Sequence, residues 1–200
     1  MEGETEMGAL PEWFARHAAD TGSPLPADLD LAYWYVGGDN NFRTYLTVLH
    51  ALATPWVVIC DGAAFDVEKR QARNPNIFDQ VRKAGIESQV LAQFMDSFSS
   101  GQPKRVMDPQ TFTEERELGK QQGIFTLARG WTTSSKASNT PGDESFESFV
   151  EAVAPGKLRQ AETEVGDSKV RKGRWLGTTL TDMCSRAGGQ RLPSQDRRAI

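Results

Sequence analysis

The run Pro55-Trp-Val-Val-Ile-Cys60, leading straight into Asp61-Gly62, constrains this chain more than any other stretch. A short apolar segment rich in β-branched residues favours a strand buried on both faces, and such strands belong to parallel sheets covered by helices. Two further runs have the same character: Leu31-Ala-Tyr-Trp-Tyr-Val36, closed by Gly37-Gly38-Asp39-Asn40, and Gly123-Ile-Phe-Thr-Leu-Ala128. The stretches between them are too long for hairpins, so the strands need crossover connections. The expected fold is therefore α/β, a parallel sheet with flanking helices.

Helical spacing fills the intervals. Met7, Leu10, Trp13, Phe14 and His17 form a stripe that predicts a helix over 6–19, with Pro11 in its first turn. A second helix is expected from a cap at Asn40 or Asn41 to about Leu52. From about 66 to 122 the pattern turns polar and helical, with segments at 77–84 and 90–98, and reads as a helical insertion. Further helices are expected over 144–153 and, as one unbroken rod, over 158–176. The domain is expected to run over 1–188, with 189–200 a frayed tail.

With 200 residues, 38% hydrophobic and 25% charged, the chain can bury a proper core. Its formal net charge of −4 means that nucleic acid cannot be held by bulk attraction and would need a local basic surface or bridging metal ions. The cysteines Cys60 and Cys184 suggest neither a disulfide framework nor a cysteine zinc site, which fits a reducing cytoplasm. The start, Met1-Glu-Gly-Glu-Thr-Glu6, is acidic where a secretion signal is basic and then apolar, and no apolar stretch approaches a membrane span. The expectation is a cytoplasmic protein with no membrane contact.

In open parallel sheets the active groups gather at the carboxyl ends of the strands. Asp61 falls at such an end, Glu2 before the first helix, and Asp143, Glu144 and Glu147 after the strand at 124–128. Acids brought together from separate strand ends are what metal-dependent phosphodiester cleavage needs, because one or two hard cations must orient the phosphate, generate the nucleophile and stabilise the leaving oxygen. Glu2 and Glu6 would share a helix face if the first helix began early, whereas Glu4 would point elsewhere.

Glu2-Gly-Glu-Thr-Glu6, with Leu10-Pro11 behind it, resembles the signature that opens the Toprim domain of OLD-family ATP-dependent endonucleases. The loop Gly37-Gly-Asp-Asn-Asn-Phe42 and the strand Trp56-Val-Val-Ile-Cys-Asp61-Gly62 resemble the next landmarks, and Ile124-Phe-Thr-Leu, Gly142-Asp-Glu-Ser-Phe-Glu147 and Lys169 the closing ones. The resemblance implies a Toprim-like, Rossmann-like sheet and a DNA-cleaving activity with Mg²⁺ or Mn²⁺, as a pair of ions. It implies Glu2, Glu6 and Asp61 as core ligands, Glu147 with Asp143 or Glu144 as a second acidic contribution, and Lys169 as the cation stabilising the phosphate transition state. Implied partners are DNA and an ABC-type ATPase domain through which the protein could form homo-oligomers, in a setting of phage defence or DNA processing. The chain departs from the pattern in two places. Asp61-Gly62-Ala63 lacks the second acid of Asp-x-Asp, leaving Asp66 to reach in, and the strand that normally precedes Glu2 is missing, so the chain is expected to be a fragment without the ATPase half.

Plainer readings compete at each position. Glu2, Glu4 and Glu6 would also suit the positive end of a helix dipole, Asp61 a turn after a strand, and Asp143, Glu144 and Glu147 a helix cap. Lys169, Arg171, Lys172 and Arg174 would suit a solvated helix face or a phosphate backbone, while His17 and His50 sit in helical stripes. No Gly-Lys-Ser/Thr phosphate loop occurs in the sequence. Against the nuclease stand a Toprim primase or topoisomerase, and a nuclease-derived interaction module that has lost its metal.

Overall fold

The computed structural model describes residues 1–68, 75–96, 106–128, 130–131 and 145–186. The chain packs as two compact units, one made of Met1–Gly3 with Tyr35–Phe149, the other of Glu4–Trp34 with Val150 onward.

The first unit is built on two parallel strands, β1 (Val58–Cys60) and β2 (Ile124–Thr126), paired Val58 with Ile124, Ile59 with Phe125 and Cys60 with Thr126. Both are shorter than the sequence runs that announced them, and Val57, just ahead of β1, is 60% exposed. The Val58 N–H reaches the Gly123 carbonyl, while the Ile59 carbonyl accepts from the Glu2 N–H at 3.0 Å. Backbone groups alternate sides along a strand, so Met1–Gly3 lies along the edge of β1 away from β2. Beyond it, Val36 N–H donates to the Met1 carbonyl and Gly38 N–H to the Glu2 carbonyl. Short as it is, Met1–Gly3 is laced by its backbone to both neighbours.

Between β1 and β2 come α3 (Ile77–Lys83), α4 (Gln89–Asp96) and α5 (Pro109–Gln121), with α2 (Phe42–Ala51) ahead of β1 and α1 (Glu4–Thr21) opening the other unit. Their starts follow capping chemistry: Asn76 accepts the Asp79 N–H, and Asp108, with Pro109 next to it, accepts the Thr111 N–H. Asn41 stands before α2 but does not cap it through its side chain, which donates to the Gly37 carbonyl instead. The core is an aromatic cluster. Phe65 meets Phe78 and Phe112 edge-on, at centroid distances of 5.8 and 6.2 Å, and Phe78 meets Phe94 at 4.5 Å. Ile124, Val67, Ile77 and Val81 complete it, fully buried.

The second unit pairs α1 with the last described helix, α8 (Lys169–Arg186), and adds α7 (Lys157–Val165); α6 (Phe146–Val153) begins in the first unit and ends here. Glycine sets how close α1 and α8 come. A methyl on Gly8 would collide with the Val170 carbonyl oxygen, one on Gly173 with the Thr5 carbonyl oxygen, and one on Gly177 would stand 3.0 Å from the Ala9 carbonyl oxygen. Pro11 lies well inside α1, because the helix starts at Glu4, and so removes an N–H that would otherwise reach the Met7 carbonyl.

Two sequence expectations are corrected. Leu31–Val36 is not a buried strand: it has no strand pairing, and Leu31 and Trp34 are 48% and 65% exposed. Its apolar content signalled a strand, but the neighbouring backbone needed to form a ladder reaches only Val36. The rod expected over 158–176 is broken into α7 and α8 by Gly166, whose φ of 71° no side-chain-bearing residue adopts easily, after which Ser168 accepts the Arg171 N–H to start the new helix. The tail at 189–200 lies outside the described residues, and among the described residues no helix is long and apolar enough to cross a membrane.

Gly173→Ala is expected to destabilise the protein by about 2–3 kcal/mol, because backbone cannot yield as a flexible side chain can. Gly130→Ala, where the added methyl meets no atom within 4 Å, should shift stability by less than ~0.5 kcal/mol. Urea unfolding of the two variants beside the wild type checks both.

Candidate metal centre

The lacing of Met1–Gly3 brings Glu2 to the end of β1. There the Asp61 N–H donates to Glu2 Oε2 at 2.9 Å, joining residues far apart in sequence. Asp61 leaves β1 in an extended conformation (φ −67°, ψ 157°) and its carbonyl accepts the Ala64 N–H, starting the short 3₁₀ turn Gly62–Phe65. Its carboxylate reaches elsewhere: Oδ1 accepts the Phe146 N–H at 3.0 Å, at the first residue of α6. Asp61 therefore caps a distant helix, where a negative charge is favoured by the exposed N–H groups and the helix dipole.

A third acid stands in the neighbouring loop. Gly37 and Gly38, at φ 80° and 113°, let the chain turn so that the Gly38 N–H meets Glu2 and Asp39 follows. Cys60 registers the charge that results. Burial pushes its thiol well above the ordinary value of 9.0, and the carboxylates of Glu2, Asp61 and Asp39 push it further the same way, against a smaller pull downward from the ammonium of Met1. The thiol faces the Phe125 carbonyl at 3.7 Å. Asp39 escaped the sequence reading, in which the loop served as a landmark and its acid as a turn residue; an acid after a glycine pair next to a strand end was the available signal.

The other candidates fall as follows. Glu147 lies in the first turn of α6, half-buried, one residue after the amide that Asp61 caps. Asp143 and Glu144 lie outside the described residues. Asp66, expected to supply the acid missing at Ala63, accepts the Glu68 N–H at 2.8 Å in a local turn. Glu6 and Lys169 belong to the second unit, Glu6 5% exposed within α1 and Lys169 exposed at the start of α8. Because α1 starts at Glu4, Glu2 lies outside the helix that carries Glu6, and the shared helical face does not form. Lys172 is paired with Glu162 at 3.4 Å.

Residues 1–62 match the Overcoming lysogenization defect protein-like, TOPRIM domain. This bears out the OLD-type Toprim resemblance over the part of the chain holding Glu2, Glu6, the glycine loop and Asp61; the landmarks from Ile124 onward lie beyond the matched stretch. No curated protein and no solved structure matches the chain. The Toprim match supports a role in nucleic-acid metabolism, and Toprim domains generally bind divalent metals.

Among the described residues, no three His, Cys, Asp or Glu side chains gather closely enough to hold a metal ion by themselves. The pair Glu2 and Asp61 nevertheless suits one kind of ion. Mg²⁺ keeps several waters and is commonly bound through one or two carboxylates plus substrate phosphate, without an all-protein cage. The donors are hard oxygens, and acids at the end of one strand, with Asp39 near the same buried thiol, suit a cation.

The raised thiol has a consequence with a definite sign. A group held protonated in the folded state favours folding below its unfolded pKa and loses that advantage as pH rises towards the folded one. Stability should thus fall from about pH 9 upward, by up to ~1.4 kcal/mol per pH unit. Urea unfolding of wild type and Cys60→Ala between pH 7 and pH 10.5 checks it, since the variant should lack this part of the slope.

Proposed function

We propose that this chain is the catalytic Toprim domain of an OLD-type nuclease, cleaving or nicking DNA with Mg²⁺ or Mn²⁺. The observation that carries the reading is the meeting of Glu2 and Asp61 at the carboxyl end of β1, where an open parallel sheet places its active groups. A Rossmann-like sheet is part of the proposal, supported by adjacent rows of backbone at 36–38, Met1–Gly3, β1 and β2.

In this reading Glu2 and Asp61 hold the metal, with Glu147, Asp143 and Glu144 as further acids, including those of a second ion. The bound ion would polarise the scissile phosphate and lower the pKa of a water. The protein residues have narrower tasks. The Asp61 amide orients the Glu2 carboxylate, and the Phe146 amide orients that of Asp61. DNA is the substrate and an ABC-type ATPase domain the regulatory partner, in phage defence or DNA processing.

A second reading, a Toprim-derived interaction module without catalysis, draws on Ala63 and on the local engagement of Asp66 with Glu68. Supercoiled plasmid with Mn²⁺ separates the two. The wild type should convert it to open circles or linear DNA, and Glu2→Gln and Asp61→Asn should each slow this by on the order of 100-fold, or ~2.7 kcal/mol of barrier. Both substitutions keep an oxygen for the observed amide while removing the charge. A wild type that leaves the plasmid intact at every Mn²⁺ concentration would favour the interaction module.

A further inference from the structure

Gln80 is 1% exposed, among the most buried side chains of the first unit. An amide so deeply placed must satisfy its polar atoms within the protein, at a cost of about 1–3 kcal/mol for one left unmet. Both ends of Gln80 are met by one short turn. Its Nε2 donates to the Asp39 carbonyl at 2.6 Å, and its Oε1 accepts the Arg43 N–H at 3.1 Å. These contacts span the 3₁₀ turn Asp39–Asn41 and the first turn of α2. The residue before that turn is Gly38, whose N–H holds the Glu2 carbonyl at 3.2 Å, and Glu2 in turn accepts the Asp61 N–H. Gln80 sits in α3, beyond the stretch that matches the Toprim model.

We propose that Gln80 is a positioning residue for the candidate metal centre: by clasping both ends of the turn over 39–43 it fixes Gly38, and through Gly38 the backbone of Glu2 whose carboxylate meets Asp61. The inference rests on the metal-centre reading for its purpose, while its geometry can be tested separately. Nothing about Gln80 requires it to touch substrate or metal.

The test compares Gln80→Leu, Gln80→Glu and Val81→Ala, the last a core truncation on the same helix at a fully buried site. The first readout is the ¹H–¹⁵N shift and exchange protection of the Gly38 and Asp61 amides, which needs no metal. The second is the Mn²⁺ affinity read by paramagnetic broadening. Gln80→Leu should move both amides, lower their protection and weaken Mn²⁺ binding by about 10-fold, the usual scale for a group that orients a ligand. Val81→Ala should lower the melting temperature without moving either amide.

Gln80→Glu supplies the conservative rescue. Protonated, it offers a donor to Asp39 and an acceptor to Arg43 as glutamine does; ionised, it sets a negative oxygen against the Asp39 carbonyl. Its Asp61 amide should therefore be wild-type-like at low pH and shift with the glutamate's titration, a step absent from the wild type. Unmoved amides in Gln80→Leu, the same shifts in Val81→Ala, or no added titration step in Gln80→Glu would overturn the proposal. If the amides move as expected but the wild type binds no Mn²⁺, the positioning role stands and the metal reading fails.

Discussion

The structure of the first unit depends on the backbone of Glu2 being bonded on both sides. Its N–H goes to Ile59 and its carbonyl receives Gly38, so a stretch that could otherwise fray is held beside β1 with nearly the fixity of a strand. That constraint delivers the Glu2 carboxylate to the Asp61 amide. Without it the acidic start would be a solvated segment, and Asp61 an ordinary turn residue after a strand. With it, two negative groups occupy one end of the sheet, close to a buried thiol that feels them both.

Asp61 joins this arrangement to the rest of the unit. Its amide serves Glu2, its carbonyl starts the 3₁₀ turn that sends Ala64 and Phe65 into the core, and its carboxylate caps α6. A helix cap is worth about 1 kcal/mol, so the residue proposed to hold the metal also helps to place a helix. The coupling has a chemical side as well. A carboxylate that accepts a backbone N–H at a helix start has one oxygen oriented, which narrows the directions from which a cation or phosphate can approach the other.

Several of these features were legible in the sequence, and the misses have physical causes. The β-branched run ending at Cys60 and the Ile-Phe-Thr run at 124–126 announced β1 and β2, because buried parallel strands need little besides apolar side chains. Leu31–Val36 carried the same apolar signal, yet pairing depends on a partner backbone, and composition says nothing about where that partner lies. Gly166 was passed over because a glycine in a helical pattern is often tolerated, and only its positive φ shows the break. Of the candidate site, Glu2 and Asp61 were named from the order of motifs. Asp39 and Gln80 were not, since one belongs to a turn and the other to a polar helix whose amide gains its meaning only when the loop it clasps is seen.

The loss of an acid at Ala63 bears on what kind of site two carboxylates can make. The residues after Asp61 are committed to packing: Ala64 and Phe65 are buried, Phe65 against Phe78 and Phe112, while Asp66 turns to the Glu68 amide. An acid brought in from Asp66 would have to leave the Glu68 amide, giving up a hydrogen bond worth about 0.5–1.5 kcal/mol. A centre resting chiefly on Glu2 and Asp61 would have a lower intrinsic affinity for the ion than one with more acids. On the proposed reading the balance is made up by oxygens of the substrate itself, because a hard cation accepts phosphate oxygen as readily as carboxylate. Metal and DNA would then bind in concert, each raising the affinity of the other by the same factor, as linkage requires.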